Sequence, residues 1–150
     1  MHEILFKELT INDIDMLLEL RIRDLMMFSE KKVEEETINQ IKKFYEKKVL
    51  SGECHTIVGY CNEKIIASAT IYFYNILPSN ENPKGIVGQI TNVWVDIEHR
   101  NKGIATKLVR KLIDDHRKDI GMICLNSSKE AMGMYLKLGF SPRVNYLVLK

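Results

Sequence analysis

The sequence predicts a single α/β domain built around a mixed sheet, and three observations support this prediction. The chain has 150 residues, a common length for one domain with a sizeable core. Its apolar fraction of 45% and charged fraction of 28% are typical of a globular protein. In the second half, strand-like segments alternate with segments of helical periodicity, as in a mixed sheet. We therefore treat residues 1–150 as one domain.

The first half is predicted to contain a strand, two helices and a hairpin. Thr10 ends the strand and can cap the first helix, because Asp13 follows at the capping-box spacing. Gly52 stops the second helix, and the turn-like pair Asn62-Glu63 separates two β-rich runs. The segments are a strand over 3–9, a helix from Ile11, a helix over 33–50, and strands over 54–61 and 64–74.

The second half begins with residues 75–85, which have the composition of a loop. Ser127 and Glu130 form a capping-box pattern at the start of the last helix, and Gly139 is expected to end it. The segments are a strand over 86–97, a helix from 103 to about 118, a strand over 121–126, the helix after Ser127, and a strand over 144–149. The predicted order is β-α-α-β-β-β-α-β-α-β.

Composition excludes several classes of protein. No apolar run approaches the ~20 residues that a membrane-spanning helix needs, and a net charge of +2 without a basic stripe argues against nucleic acid as a partner. The odd number of cysteines and the scattered histidines lack the spacing of a metal site or a disulfide framework. We therefore expect no metal, and free thiols in a reducing cytoplasm: Cys54, Cys61 and Cys124.

The segment Arg100-Asn101-Lys102-Gly103-Ile104-Ala105-Thr106 joins a predicted strand to a predicted helix. Gly103 permits close approach of the backbone to a ligand, and the small Ala105 keeps the helix start open. The amides of the first helical turn lack partners within the helix, and Arg100 and Lys102 add positive charge. By itself, the segment indicates either a site for an anion such as a diphosphate or an ordinary turn with a basic surface.

Two longer stretches make the interpretation more specific. The first runs from Ile90 through Val93-Trp-Val and the loop to Val109, and the second is Ala131-Met-Gly-Met-Tyr-Leu-Lys-Leu-Gly-Phe140. In this order they resemble the GNAT superfamily of acetyl-coenzyme A-dependent N-acetyltransferases, over nearly the whole chain. The resemblance implies a mostly antiparallel central sheet flanked by helices. It also implies acetyl transfer from acetyl-coenzyme A (acetyl-CoA) to a primary amine.

The resemblance also implies roles for individual residues. Backbone groups of the strand before the loop would pair with the pantetheine arm, and the loop amides would hold the diphosphate. Tyr135 would act as the general acid that protonates the departing thiolate, since a phenol and a thiol differ in pKa by only about two units. The expected cofactor-binding residues are Val93, Trp94, Val95, Arg100, Asn101, Lys102, Gly103, Ile104, Ala105, Thr106, Asn126 and Ser128.

The general base and the acceptor stay open at this stage. Some family members place a glutamate early in the strand before the loop, but here that position is Gln89, which cannot act as a base. Arg21 and Arg23 could meet a carboxylate on the acceptor, or they could simply be exposed arginines. A water chain or an already neutral amine would also serve in place of a base. The carboxylates that could face the acceptor are Glu19, Asp24 and Glu30.

Two other functions are compatible with the loop. A non-catalytic acyl-CoA-binding or sensing module would keep the loop and would not need Tyr135. A regulatory domain that binds a nucleotide or phosphate would have a ligand without the pantetheine arm. For the leading hypothesis, the expected partners are a small-molecule or peptide amine and, because many members of the family pair, a second copy of the chain.

Overall fold

The computed structural model describes residues 3–29 and 31–150. These residues form one five-stranded sheet with the order β1-β2-β3-β4-β5, in which only β5 runs parallel to its neighbour. The strands are β1 (Leu5–Glu8), β2 (Cys54–Cys61), β3 (Lys64–Asn75), β4 (Ile86–Val95) and β5 (Met122–Leu125). The helices are α1 (Ile14–Ser29), α2 (Glu35–Leu50), α3 (Ile104–His116) and α4 (Met132–Lys137). The predicted mixed, mostly antiparallel sheet with flanking helices is confirmed.

Local signals in the first half hold in the structure. Thr10 and Asp13 form the capping box ahead of α1, where a short 3-10 turn precedes the α-helix. Asn62 and Glu63 both have positive φ, 52° and 65°, which suits the tight turn between two antiparallel strands. The β2–β3 hairpin is therefore confirmed.

Helices cover both faces of the sheet. On one face, α1 and α2 pack on the sheet through a core that includes Leu17 and Val58; on the other, α3 packs through Leu108 and Leu112. Cys54 belongs to the first core and Cys61 packs against the second. The two side chains therefore lie on opposite faces of the sheet, as expected for residues seven positions apart on one strand. No described helix is long and apolar enough to cross a membrane.

The predicted last strand over 144–149 is wrong. Residues 141–150 have no regular secondary structure, and Leu147 and Leu149 are 91% and 99% exposed. An alternating apolar pattern indicates a strand only where an edge receives it, because strand propensity largely measures packing against neighbouring strands. Here the outer edge of β5 has no partner strand among the described residues.

Several element boundaries differ from the prediction, the main ones in the second half of the chain. The last helix begins at Met132, because Ser127 turns its hydroxyl to the Ser128 carbonyl instead of capping the helix. Ser128 Oγ instead accepts a hydrogen bond from the Ala131 amide at 3.2 Å. Gly139, at φ 104°, ends the helix as predicted. The strand expected to reach 97 and the helix expected to reach 118 both end sooner, in the 3-10 turns Ile97–His99 and Arg117–Asp119.

Candidate active site

The site begins where β4 leaves β5. The two strands pair from Val87–Met122 to Ile90–Leu125, and β4 then continues to Val95 paired only with β3. Opposite β3, the register shifts so that Asn92 and Val93 together face the single residue Ala69, which is a β-bulge. The bulge and the divergence leave backbone groups of β4 facing an opening between two parallel strands.

Asn92 holds the bulge in place. Its φ is 54°, a left-handed conformation that asparagine tolerates better than most residues, and it is 4% exposed. Its side-chain oxygen accepts a hydrogen bond from Arg21 at 2.8 Å, and its side-chain nitrogen donates to the Tyr45 hydroxyl at 3.1 Å. Ser68 donates to its carbonyl at 2.9 Å. Partners on α1, α2 and β3 therefore fix the backbone at the point where β4 diverges.

The opening is a cavity of about 240 Å³. It lies between the free part of β4, the end of β5, the C-terminal half of α1 and helix α4. Seven of the predicted site residues line it: Val93, Trp94, Val95, Ala105, Asn126, Ser128 and Tyr135. Residues that the sequence did not single out also contribute: Phe28, Ile90, Thr91, Leu125, Ala131 and Met134.

Tyr135 is a mostly buried residue of the cavity lining. It is 6% exposed, and its ring meets Phe140 edge-on with the centroids 5.8 Å apart. Burial and, to a smaller extent, the charge of Asp24 together raise the pKa of Tyr135 to about 12. The phenol is therefore protonated at neutral pH and can donate a hydrogen bond or a proton into the cavity.

The turn before α3 lies beside the cavity and presents backbone amides. The first hydrogen bond of α3 runs from the Lys107 amide to the Gly103 carbonyl at 3.0 Å, so the amides just before Lys107 precede the helix's own ladder. Gly103 has φ 76°, and a Cβ built there would meet nothing within 4 Å. This arrangement leaves open space in front of a row of amide donors.

The side chains of this turn differ in burial and in their contacts. Ile104 is buried in the core with α3, so only its backbone faces outward. Arg100 donates from Nε to the Val95 carbonyl at 3.0 Å, which ties the turn to the end of β4. Asn101 has φ 62° and is exposed, as is Lys102, while Thr106 is half-buried. Among these turn residues, only Ala105 reaches the cavity lining.

The three candidate carboxylates differ in position. Asp24 lines the cavity and is 8% exposed, and burial raises the pKa of its carboxyl more than the nearby Arg21 lowers it. Glu19 is exposed and pairs with Arg23 at 3.8 Å, away from the cavity lining. Glu30 lies outside the described residues. Of the two described carboxylates, Asp24 alone enters the cavity.

Other residues considered from the sequence take structural positions. Gln89 lines the cavity and accepts a hydrogen bond from Cys124 Sγ at 3.0 Å. His99 pairs with Asp96 at 3.3 Å, outside the cavity lining. Trp94 forms part of the cavity wall with the Arg23 guanidinium 4.4 Å from its ring centroid. Among the described residues, no group of three or more acidic, histidine or cysteine side chains could hold a metal ion.

The residues that sequence reasoning missed had only weak signals. Phe28 and Met134 lie at helical spacings that look the same for a core residue and a cavity wall. Thr91 accepts a hydrogen bond from Arg21 at 3.2 Å, a contact across 70 positions of the chain that no local pattern reveals. The sequence shows that Arg21 and Asp24 lie about one helical turn apart. It does not show which part of the sheet they pack against.

Comparison with known proteins identifies a matching family and similar structures. Residues 14–140 match the model of the acetyltransferase (GNAT) family. The structure is similar to that of a predicted acetyltransferase from Clostridium acetobutylicum determined with acetyl-CoA, with 26% identity and a TM-score of 0.89 over 99% of this chain and 96% of that one.

Two more distant structures share the fold. A GCN5-related N-acetyltransferase from Ralstonia eutropha is 19% identical, with a TM-score of 0.81 over 99% of both chains. Glucosamine-6-phosphate N-acetyltransferase from Arabidopsis thaliana is 20% identical, with a TM-score of 0.72 over 99% of this chain and 98% of that one.

Proposed function

Because the chain belongs to the acetyltransferase (GNAT) family, we propose that it moves an acetyl group from acetyl-CoA directly to a primary amine within a ternary complex. The observation that carries this proposal is the cavity where β4 diverges from β5. Its lining combines the part of β4 that β5 leaves unpaired, Tyr135 of α4, and Ala105 at the start of α3. A regulatory site for a bare phosphate would need the turn but neither the opened strands nor the tyrosine.

The residues present suit the parts of acetyl-CoA. The amides from Arg100 to Thr106 would hold the diphosphate, aided by the α3 dipole and the positive charges of Arg100 and Lys102. Backbone groups of Val93, Trp94 and Val95 would pair with the pantetheine arm as a neighbouring strand does. Asn126 and Ser128 would border the arm on the opposite wall.

Acetyl-CoA supplies an activated acyl group, and the protein's contribution is to hold the acceptor against it and manage protons. The new bond joins the acceptor nitrogen to the acetyl carbon, and the bond from that carbon to sulfur breaks. Tyr135 donates its proton to the sulfur as it leaves. The ordinary pKa of a thiol is about 8.5, and burial in the same cavity raises the pKa of thiol and phenol alike, which limits the mismatch between them. No cysteine of the described chain lines the cavity, which favours direct transfer over an acyl-enzyme.

Calorimetry with acetyl-CoA, CoA and ATP tests the cofactor. We expect acetyl-CoA and CoA to bind with similar affinity and ATP much more weakly, since ATP lacks the pantetheine arm. ATP binding as tightly as acetyl-CoA would instead identify a nucleotide-binding regulatory domain.

Thiol release with a panel of amines tests turnover and the role of Tyr135. The change Tyr135→Phe should lower kcat at least about 100-fold, the usual size of a general-acid contribution, while acetyl-CoA affinity changes little. Tyr60→Phe is a matched control, because the Tyr60 hydroxyl contacts Met16 at 3.7 Å and lies outside the cavity lining. Acetyl-CoA binding without turnover of any amine would favour the sensing module.

A further inference from the structure

The Asp24 carboxyl lies at the cavity, and the described residues give it one side-chain hydrogen-bond donor, Arg21. Its Oδ2 lies 3.4 Å from Arg21 NH1, which is long for a charge-assisted hydrogen bond. The described residues give Oδ1 no hydrogen bond. Every fully enclosed side-chain oxygen among them does have a hydrogen-bond partner. Oδ1 is therefore not fully enclosed, and the residue that carries it lines the cavity.

The neighbouring arginines are engaged elsewhere. Arg21 divides one amino group among Asp24, Thr91 and Asn92, at 3.4, 3.2 and 2.8 Å, and it does not line the cavity. Arg23 stacks on Trp94 and pairs with Glu19. Neither arginine lines the cavity, so Asp24 carries the one formal charge among the described lining residues.

Resting on the proposed function, we infer that Asp24 binds the acceptor ammonium and takes its first proton, and that the acceptor is a primary amine on an uncharged, apolar carbon skeleton. The side chains of Phe28, Trp94 and Met134 provide the apolar wall for that skeleton. A carboxylate next to the amine, as in a free amino acid, would be placed close to Asp24 and repelled.

The protons balance in this scheme. The acceptor arrives as an ammonium; Asp24 takes one proton and later releases it to solvent. The neutral nitrogen bonds to the acetyl carbon and loses a second proton as the amide forms. That second proton replaces the one that Tyr135 gives to the departing sulfur. The net products are the amide, the free thiol and one proton in solution.

The surroundings of Asp24 favour a role as a proton acceptor. Burial keeps the pKa of its carboxyl above the usual range. The charged and titratable groups that face it are Arg21 on the same helix, Tyr45 on α2 and Tyr135 on α4, while the adjoining β4 offers uncharged side chains. When Asp24 holds a proton, its effect on Tyr135 disappears, and Tyr135 becomes a better acid for the sulfur.

A pair of acceptors tests the substrate class with the unmodified protein. 2-Phenylethylamine and phenylalanine share one skeleton and differ only in the carboxylate. We expect kcat/KM for 2-phenylethylamine to exceed that for phenylalanine by at least about 100-fold, since like charges in an enclosed site cost several kcal/mol. Equal values, or a preference for phenylalanine, would overturn the assignment of the acceptor class.

The variant Asp24→Asn tests the base. At pH 7.5 its kcat/KM for 2-phenylethylamine should fall at least about 100-fold. The loss should shrink to about tenfold or less with 2,2-difluoro-2-phenylethylamine, whose fluorines make the amine weakly basic so that it arrives without the extra proton. A purely structural role for Asp24 would lower both rates equally, and that result would overturn the proposal. Glu19→Gln, a carboxylate removed from the exposed face of the same helix, should change neither rate.

Acetyl-CoA affinity distinguishes a failure of the proposed function from a failure of the role of Asp24. Asp24→Asn should bind acetyl-CoA within about threefold of the unmodified protein, because Asp24 lies on α1 and the diphosphate is assigned to the turn before α3. Unmodified protein that binds acetyl-CoA and turns over no amine would refute the proposed function. If the unmodified protein and Asp24→Asn turn over 2-phenylethylamine at the same rate, that result would refute the role of Asp24 and leave the proposed function standing. If Asp24→Asn does not fold, the acceptor pair still decides the substrate class.

Discussion

Replacing Asn92 should expose how much of the site depends on one left-handed residue. In Asn92→Ala, the Arg21 hydrogen bond is lost, at a cost of about 1.5–3 kcal/mol for a charged donor, and the Tyr45 bond is lost, at about 1 kcal/mol. Alanine at φ 54° adds about 1–2 kcal/mol of backbone strain. Since such terms overlap, we expect a loss of about 3–4 kcal/mol in the free energy of unfolding.

Asn92→Gly separates the two contributions. Glycine adopts this conformation without strain, so it should lose only the hydrogen bonds and be about 1 kcal/mol more stable than the alanine variant. Exposed Asn101, at φ 62°, is the matched control. There the same pair of substitutions should show a similar difference between alanine and glycine, with a much smaller total loss.

Urea denaturation followed by circular dichroism gives these free energies, and calorimetry gives acetyl-CoA affinity for the same proteins. The glycine variant should keep more affinity than the alanine variant, because it preserves the bulge. If both variants lose less than about 1 kcal/mol, well below the usual effect of breaking a buried network, the bulge does not depend on Asn92. An alanine variant as stable as the glycine variant would remove the strain argument.

Four further substitutions have definite expected outcomes. Gly121→Ala should lower the free energy of unfolding by about 2–4 kcal/mol, since a Cβ there would fall 1.6 Å from Asn82 Oδ1. At Gly133 a Cβ would meet nothing within 4 Å, so Gly133→Ala should raise the free energy of unfolding, measured by urea denaturation, by up to about 1 kcal/mol. Gly103→Ala should cost about 1 kcal/mol of stability, and calorimetry should show a greater than tenfold loss of acetyl-CoA affinity; an unchanged affinity would move the diphosphate away from this turn. Burial lowers the pKa of His116, so its stabilising effect is present above the unfolded pKa of about 6.5 and is lost as pH falls through the lower folded value. His116→Gln should therefore flatten the fall in unfolding free energy between pH 7.5 and 5, and an unchanged slope would contradict this assignment.

Sequence patterns predicted most of the fold because its signals are local. The Thr10–Asp13 capping box, the Asn62-Glu63 turn and the Gly139 stop each depend on a few neighbouring residues, and all three appear in the structure. The strand over 144–149 failed because its formation depends on a partner edge, which no local pattern specifies.

The site was predictable only in part. The resemblance singled out Tyr135 and the free part of β4, and the structure brings both to one cavity. It could not select Asp24 among three carboxylates, because the choice depends on which face of α1 meets β4. Nor could it reveal the contacts of Arg21 with Thr91 and Asn92, which cross about half the chain.

The parallel pairing of β4 with β5 also has a consequence for how the protein matures. Strands β2 to β4 follow one another in the chain and pair as antiparallel neighbours, whereas β5 reaches β4 only after α3 has crossed the sheet. Crossover pairing requires closure of a longer loop and is slow compared with forming a hairpin. A nascent chain would therefore assemble its hairpin layer first and acquire the cavity last. Changes that weaken α3 packing should delay the appearance of activity during refolding more than they delay the appearance of strand structure.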